Sequence, residues 1–469
     1  MENTQNNNKS GVKTLLKTRM IYLLLGCLCL IAGCDSFTEV DLPPSQLTSV
    51  AVFEDKATAT AAVVDIYSKI RDTGMLTGYS SGLSASMGLY ADELVLYGGE
   101  AGFYNNAVLP TAYEVSDWWN YSYSQIYAAN AVLEGLQQST ALAETDKSAL
   151  MGEVLFIRAL LHFYLVNAFG PVPYIKTTDY RVNRLAARTP EAEAYANMKA
   201  DLEQAIYGLP AAYVTAERVR PNRFAAQALL ARVALYNGDW AEASNAASAV
   251  LNETGLYSID VPLDAVFREE SRSTIWQLMP QMQGRNTLEA ETFSFTEGPP
   301  PSTALSQSLL AAFPEGDLRK ANWTTAVTDG TETWYHTFKY REALGTESSM
   351  EYSIVFRIAE MYLIRVEARA RWGDLIGAKE DLNVILNHAG LPDSEAHDAE
   401  TIVVEILLQR RLELFTEFGH RFFDLKRSNR LDAVLSPQKP GWNATDRLLP
   451  LPESELLLND RLAPQNDGY

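Results

Sequence analysis

The chain has 469 residues, of which 47% are hydrophobic and 21% charged, so it can bury a large core and is not disordered in composition. Its formal net charge of −20 disfavours a polyanionic partner, and we expect no nucleic-acid binding. The three cysteines all lie in the first 34 residues, which excludes cysteine-ligated metal sites and internal disulfides from the rest of the chain.

The N-terminus predicts an export leader. Residues 1–19 are polar and basic, and an apolar run over 20–31 follows, which at about 18 Å is too short to span a bilayer core of about 30 Å. The run ends in Leu-Ile-Ala-Gly-Cys, which resembles a bacterial lipobox with Cys34 as the acylated residue. We therefore predict a signal peptide over 1–33 and a lipidated tether over 34–54. The alternative is an ordinary signal peptide with a chance cysteine.

The body of the chain is predicted to be helical, because apolar residues recur at i, i+3 and i+4. Long helices are predicted at 55–72, 117–138 and 146–169, the last ended by Gly-Pro-Val-Pro.

Two later segments, 222–257 and 354–391, resemble each other. Each reads as a helix, a Gly-Asp turn and a second helix with alanine five residues after the turn glycine. Small residues let paired helices approach closely, so the segments predict tetratricopeptide-like helix pairs that stack on one another. The predicted fold is mainly α, a tetratricopeptide-like helical-repeat scaffold in one domain over 55–469.

Two irregular stretches interrupt the scaffold, at about 73–116 and 258–350. They are rich in Gly, Ser, Thr and aromatics, with short strand-like runs such as 273–278 and 333–338, so minor β structure is expected. Loops of this length are more often functional than accidental. We predict that these two excursions face the ligand.

No motif for catalysis, metal or cofactor binding is recognisable, and we expect a protein without enzymatic activity, metal or cofactor. Carboxylate pairs for glycoside cleavage stay open, because sequence does not place acids in space. His162, in an apolar helix, is interpreted as a packed core residue. If the segment around Gly419 is one helix, Glu413, Glu417 and Arg421 share a face. That face is interpreted as an ion-paired stripe, with an acidic site as the alternative.

Aromatic residues in the excursions are the better functional candidates, because exposed rings bind sugar faces or apolar peptide side chains. The ligand-binding candidates are Tyr97, Phe103, Tyr104, Trp323, Trp334 and Tyr335. The alternative is that they pack the loops onto the helices. If they are binding platforms, replacing Trp323 or Trp334 with alanine weakens binding and leaves stability nearly unchanged.

Several motifs in order resemble the SusD/RagB family of surface lipoproteins. Besides the lipobox, they are the E-x-x-F-x-R-A run at 153–159 with its Phe-Gly-Pro-Val-Pro stop, the inner-helix runs at 228–236 and 357–364, the charged block at 411–427 and the Pro-Gln-Asn-Asp-Gly-Tyr end at 464–469.

The resemblance covers essentially the whole mature chain. It implies about four tetratricopeptide-like helix pairs and a nutrient-binding lipoprotein on the outer-membrane surface. It also implies capture of a glycan or peptide and its delivery to a SusC-like TonB-dependent barrel. The alternatives are a surface-anchored glycan hydrolase and a helical-repeat scaffold that binds no ligand.

Overall fold

The computed structural model describes residues 49–469, and its framework is a series of packed α-helices. The long helices are α1 Lys56–Asp72, α2 Tyr113–Gln138, α3 Glu144–Phe169, α4 Glu191–Gly208, α5 Arg223–Asn237, α6 Trp240–Leu251, α7 Ile358–Trp372, α8 Leu375–His388, α9 Ala399–Leu414 and α10 His420–Arg427. The short helices are Ser49–Val52, Leu83–Tyr90, Tyr180–Asn183, Leu288–Phe293, Gln307–Ala312, Leu318–Trp323, Leu431–Leu435 and Glu453–Leu458, with 3₁₀ turns at Ala444–Arg447 and Asp460–Leu462.

Helices α1 to α8 form four consecutive pairs. Each helix packs on its sequence neighbour, and each pair contacts the first helix of the next, so that α6 meets α7 although the second excursion lies between them in sequence. Stacked pairs bury a continuous core that no single pair could form. The predicted mainly α, tetratricopeptide-like fold with four helix pairs is confirmed.

The turns within the last two helix pairs contain the predicted glycines, and the predicted alanines are buried after them. Gly238 and Gly373 end α5 and α7 in the left-handed region, with φ of 80° and 98°, which favours glycine. Ala243 and Ala378 are fully buried where the paired helices meet. The predicted start of the last pair at 354 is wrong, because residues up to Arg357 form a strand and α7 begins at Ile358.

Helix α3 is the core helix. Among the described residues it is the one helix long and apolar enough to cross a membrane, and most of it is buried inside the protein. His162 is fully buried, with Nδ1 2.8 Å from the carbonyl oxygen of Arg158, while Nε2 accepts from the backbone N–H of Ile175. Burial lowers its pKa to about 4, so the ring is neutral. His162 is thus a packed core residue, as predicted.

Three two-stranded antiparallel sheets supply the minor β structure. The strands are β1 Leu94–Leu96, β2 Thr274–Leu278, β3 Thr303–Leu305, β4 Thr324–Thr328, β5 Thr333–Thr337 and β6 Ser353–Arg357. Strand β1 pairs with β3, β2 with β6, and β4 with β5. Because β2 and β6 lie near the two ends of the second excursion, their pairing closes it at its base.

The charged block is not one continuous helix. Helix α9 ends at Leu414, and Thr416, Phe418 and Gly419 have positive φ before α10 begins. Glu413, Glu417 and Arg421 therefore do not share a helical face. The ion-pair interpretation holds, because Glu413 and Glu417 both bind Arg357, and Arg421 binds Asp92. These pairs connect the 413–421 segment to other parts of the fold.

The predicted signal peptide, Cys34 and most of the predicted tether lie outside the described residues, and they stay predictions.

Candidate functional site

The two excursions meet on one surface, which we call the excursion junction and define as residues 71–98 and 278–305. Strand β1 pairs with β3 in register, Leu94 opposite Leu305. The backbone N–H groups of Tyr97 and Gly98 donate to the carbonyl oxygen of Ser302 at 2.7 and 3.1 Å. The Thr292 hydroxyl donates to the carbonyl oxygen of Gly78 at 2.8 Å. Segments about 200 residues apart in sequence thus form one continuous surface.

A pocket of about 140 Å³ lies at this junction. Its polar and aromatic lining residues are Arg71, Asp72, Tyr79, Gln281, Arg285, Asn286, Thr287, Glu289, Glu291 and Ser353. Arg71 and Asp72 are the last residues of α1, Tyr79 lies in the turn that follows, and the others come from the second excursion and β6. Tyr79 was among the loop aromatics of the sequence but not among the predicted site residues.

Arg71 and Asn286 lie in the walls of the pocket, and their side chains form hydrogen bonds within the protein. The Arg71 guanidinium donates to Asp72 at 2.6 Å and to the carbonyl oxygen of Met279 at 3.0 Å. The Asn286 amide donates to the carbonyl oxygen of Leu344 at 3.1 Å and accepts from the backbone N–H of Met350 at 2.7 Å. Both side chains therefore position the pocket's walls.

Glu289 is a buried carboxyl group in the pocket lining. Oε1 accepts from the Ser353 hydroxyl, while Oε2 has no hydrogen-bond partner among the described residues. A Cβ at residue 78 would lie 2.3 Å from Oε2, which explains the glycine there. Burial raises the pKa of Glu289 above its usual value. An oxygen without a partner can still accept a hydrogen bond, for example from a hydroxyl group.

The exposed side chains of the pocket combine one aromatic ring with polar groups. The Tyr79 side chain is 48% exposed, and Gln281, Met282, Arg285 and Glu291 are also exposed. Arg285 and Glu291 form an exposed ion pair at 3.5 Å. An aromatic face beside amide, guanidinium and carboxylate groups can stack on a sugar ring and bind its hydroxyls.

The pocket's two glutamates differ in direction and in exposure. Glu289 and Glu291 are two residues apart on the short helix Leu288–Phe293, and side chains at i and i+2 point in different directions. Glu289 is buried, whereas Glu291 is exposed beside Arg285. No cluster of three metal-ligating side chains occurs within residues 49–469.

Tyr97 and Trp334, two predicted candidates from different excursions, come together. Their rings are perpendicular, with centroids 6.5 Å apart. Tyr97 is 45% exposed, while Trp334 is buried in a small cluster with Phe295 and Ala304. A Cβ at residue 298 would lie 2.0 Å from the Trp334 ring, so Gly298 packs against that ring. Trp334 therefore supports Tyr97, which presents the exposed ring.

The other predicted aromatics are not part of this group. Phe103 is buried against Tyr90 and Trp118, and Tyr104 lies under the Lys439 ammonium at 4.5 Å. Tyr335 follows Trp334 on β5 and therefore faces the opposite side, packed against the main core.

Trp323 is fully buried in the main core, where its indole N–H donates to the carbonyl oxygen of Leu263 at 2.8 Å. The expectation of an exposed aromatic face is wrong for Trp323, Phe103 and Trp334, because all three side chains are buried. Trp334 and Tyr335 are neighbours on β5, so their side chains lie on opposite sides of the strand. The polar groups at Gln281, Arg285 and Glu291 carry no sequence signal that would single them out.

Family models match both halves of the scaffold. Residues 95–235 match a model described as "Starch-binding associating with outer membrane", and residues 318–469 match the SusD family model. A curated relative, SusD-like protein P2 of Formosa agariphila, is 27% identical, over 76% of this chain and 81% of that protein.

Solved structures share the fold. A SusD superfamily protein from Bacteroides vulgatus matches with a TM-score of 0.77 at 20% identity, over 88% of this chain and 99% of that one. A structure described as a laminarin-binding SusD-like protein matches with a TM-score of 0.73 at 23% identity, over 88% and 99% of the two chains.

Proposed function

This chain belongs to the SusD/RagB family, and from that premise we propose that it captures an oligosaccharide, or a peptide, at the excursion junction for uptake into the cell. The observation that supports this most is the junction pocket with its exposed Tyr79 ring. A pocket that combines an aromatic ring with a few polar groups is the usual form of a small-ligand site.

A glycan is the favoured ligand over a peptide. The groups around Tyr79 are an amide, a guanidinium and carboxylates, which make planar hydrogen bonds to neighbouring hydroxyls. The buried Glu289 oxygen without a partner adds another polar group in the lining. The matched model's description as starch-binding and the laminarin-binding neighbour support the same ligand class.

Binding without catalysis is proposed, because Glu289 and Glu291 point in different directions from one short helix and the third acid of the pocket, Asp72, is bound by Arg71. The hydrolase alternative would need two carboxylates that flank a bond from opposite sides. The alternative of a scaffold without a ligand is disfavoured by the pocket and by the exposed Tyr79 and Tyr97 rings.

The proposal includes a lipid anchor at Cys34 and a transporter partner. Acylation of Cys34 would hold the protein on the outer membrane, at the cell surface, through lipid chains. From there it would deliver its ligand to a SusC-like TonB-dependent transporter. The description of the matched family model as associating with the outer membrane supports this placement.

The substitution Tyr79→Ala tests the capture site. Affinity electrophoresis in gels that contain laminarin, starch, xylan or pectin should show retardation of the wild type by at least one polysaccharide. We expect Tyr79→Ala to bind that polysaccharide about tenfold or more weakly, because it loses the stacking face and the area it buries. The side chain is half-exposed, so thermal stability should hardly change.

Tyr207→Ala is the matched control, because this tyrosine is 88% exposed on α4, outside the junction. Equal retardation of Tyr79→Ala and Tyr207→Ala would contradict the assignment of the site, and an unretarded wild type would contradict glycan capture.

A further inference from the structure

Helix α2 presents an uncharged, tyrosine-rich stripe to solvent. Apart from the two glutamines of its last turn, at 137 and 138, its exposed side chains are at positions 113, 120, 121, 124 and 127. They are three tyrosines, one asparagine and one serine, and their spacing places them along one side of the helix. A solvent-facing stripe without a single charge is unusual, because surface helices carry charged residues on their exposed side.

This stripe adjoins the excursion junction. The Asp117 carboxylate accepts from the backbone N–H of Gly74, and the Trp118 indole N–H donates to the carbonyl oxygen of Ser81 at 2.8 Å. A Cβ at residue 74 would lie 3.2 Å from the Cβ of Tyr121. The α2 surface therefore borders the same turn that carries Tyr79.

At its other end the stripe reaches a second pocket of about 230 Å³. Trp119 and Tyr123 line it with ring centroids 4.9 Å apart, and Tyr127, 52% exposed, lies at its edge. Pro173 and Ile175 supply further apolar lining. The second pocket shares no lining residue with the junction pocket.

The polar groups of the second pocket suit a neutral, hydroxyl-rich ligand. Asn120 supplies an exposed amide, while the Asn183 and Asn459 amides also donate to the carbonyl oxygens of Thr177 and Ala186. Glu455, which accepts from the Trp119 indole, supplies the one carboxyl group. No lysine or arginine lines the pocket, so an anion would find no counter-charge there. Aromatic rings with amides and a single acid match the stacking and hydrogen-bonding needs of an uncharged sugar ring.

We propose that the ligand surface extends from the junction pocket along α2 to the second pocket, so that the protein binds an extended neutral polysaccharide at two separate places. The inference rests on the proposed function and specifies its substrate class. Tyr121 and Tyr127 are six residues apart, about 9 Å along the helix axis, so a chain bound at the junction can continue to the second pocket. A second contact raises affinity for long chains alone, since a short chain cannot reach both places.

The substitution Tyr127→Ala separates long from short ligands. Affinities are measured for laminarin, starch and xylan, and for laminaritriose, maltotriose and xylotriose. We expect Tyr127→Ala to bind the retained polysaccharide about five- to tenfold more weakly and its trisaccharide as the wild type does. Tyr79→Ala should lower both affinities, and Tyr207→Ala neither. Asn120→Ala, which changes another exposed residue of the pocket, should act like Tyr127→Ala.

The possible outcomes are distinct. If the wild type binds polysaccharide and Tyr127→Ala and Asn120→Ala bind it equally well, the second pocket is not a sugar site, and the junction proposal stands. If the wild type binds none of the probes, the proposed function fails and this inference fails with it. If Tyr127→Ala keeps polysaccharide binding but loses a co-purifying protein, the α2 surface is a protein interface and the inference is overturned.

Discussion

Replacing Glu413 with glutamine should lower the free energy of unfolding by about 3–5 kcal/mol, because it removes the buried negative charge shared by Arg357 and Arg319 and leaves each with one carboxylate partner, Glu417 and Asp317 respectively. Glu413 is buried and binds Arg357 Nη1, while its backbone carbonyl oxygen accepts from Arg357 Nη2 at 2.6 Å. Arg319 Nη1 lies 3.3 Å from the other carboxylate oxygen. All three side chains are nearly inaccessible to water.

The same contacts predict a pH dependence. Burial opposes ionisation of Glu413, but the charges of Arg357 and Arg319 outweigh it and hold the pKa at about 2, below the ordinary 4.5. A lowered folded-state pKa means that the ionised group contributes stability above pH 4.5, and that this contribution is lost as pH falls towards 2. The glutamine variant should therefore lose less stability than the wild type over this pH range.

Urea denaturation at pH 7 and pH 3 measures both effects. Asp65→Asn is the control, since it breaks the exposed i, i+4 pair between Asp65 and Lys69 and should cost less than about 1 kcal/mol. A Glu413→Gln protein as stable as Asp65→Asn at pH 7 would refute the structural role assigned to the cluster.

Trp323→Ala should destabilise the fold by about 3–5 kcal/mol, the range for truncating a large buried aromatic side chain. The ring packs edge-to-face on Phe267 with centroids 5.6 Å apart, and the Lys339 ammonium lies 5.2 Å from the ring centre. Its indole N–H hydrogen bond to Leu263 would also be lost. This reverses the sequence-based expectation, in which Trp323→Ala weakens binding and spares stability.

Thermal and urea unfolding test this with Trp372→Ala as the matched control. Trp372, the last residue of α7, is 68% exposed, and its removal should change the free energy of unfolding by no more than about 0.5 kcal/mol. If Trp323→Ala kept the wild-type stability and lost polysaccharide binding, the sequence-based interpretation would be right and the buried position wrong.

Local sequence signals predicted the helical scaffold well. The helix stops at Gly238 and Gly373 and the buried alanines Ala243 and Ala378 depend on backbone conformation and close packing within one helix pair. Periodicity is strong in such segments because each helix has one buried side. The break after Leu414 was left open by the sequence, because Gly419 is the one glycine near it, whereas Thr416 and Phe418 adopt positive φ without being glycine.

The proposed binding site was predicted only in outline. Sequence indicated that both excursions face the ligand, but the pairing of β1 with β3 is a contact between distant segments that no local pattern encodes. Aromatic content likewise does not separate exposed from buried rings: Tyr97 is exposed, whereas Trp323 lies in the core. Tyr79 was proposed as a binding residue because tertiary structure brings Gln281 and Arg285 to the same pocket.

The central claim is that this chain is the ligand-capturing part of an outer-membrane uptake system, and purification of the tagged full-length protein from its native outer membrane in mild detergent tests it most directly. Mass spectrometry of the purified material should find a large β-barrel transporter in stoichiometric amount, and a lipid on Cys34. A protein that is recovered alone, or that fractionates with the inner membrane, would contradict the account.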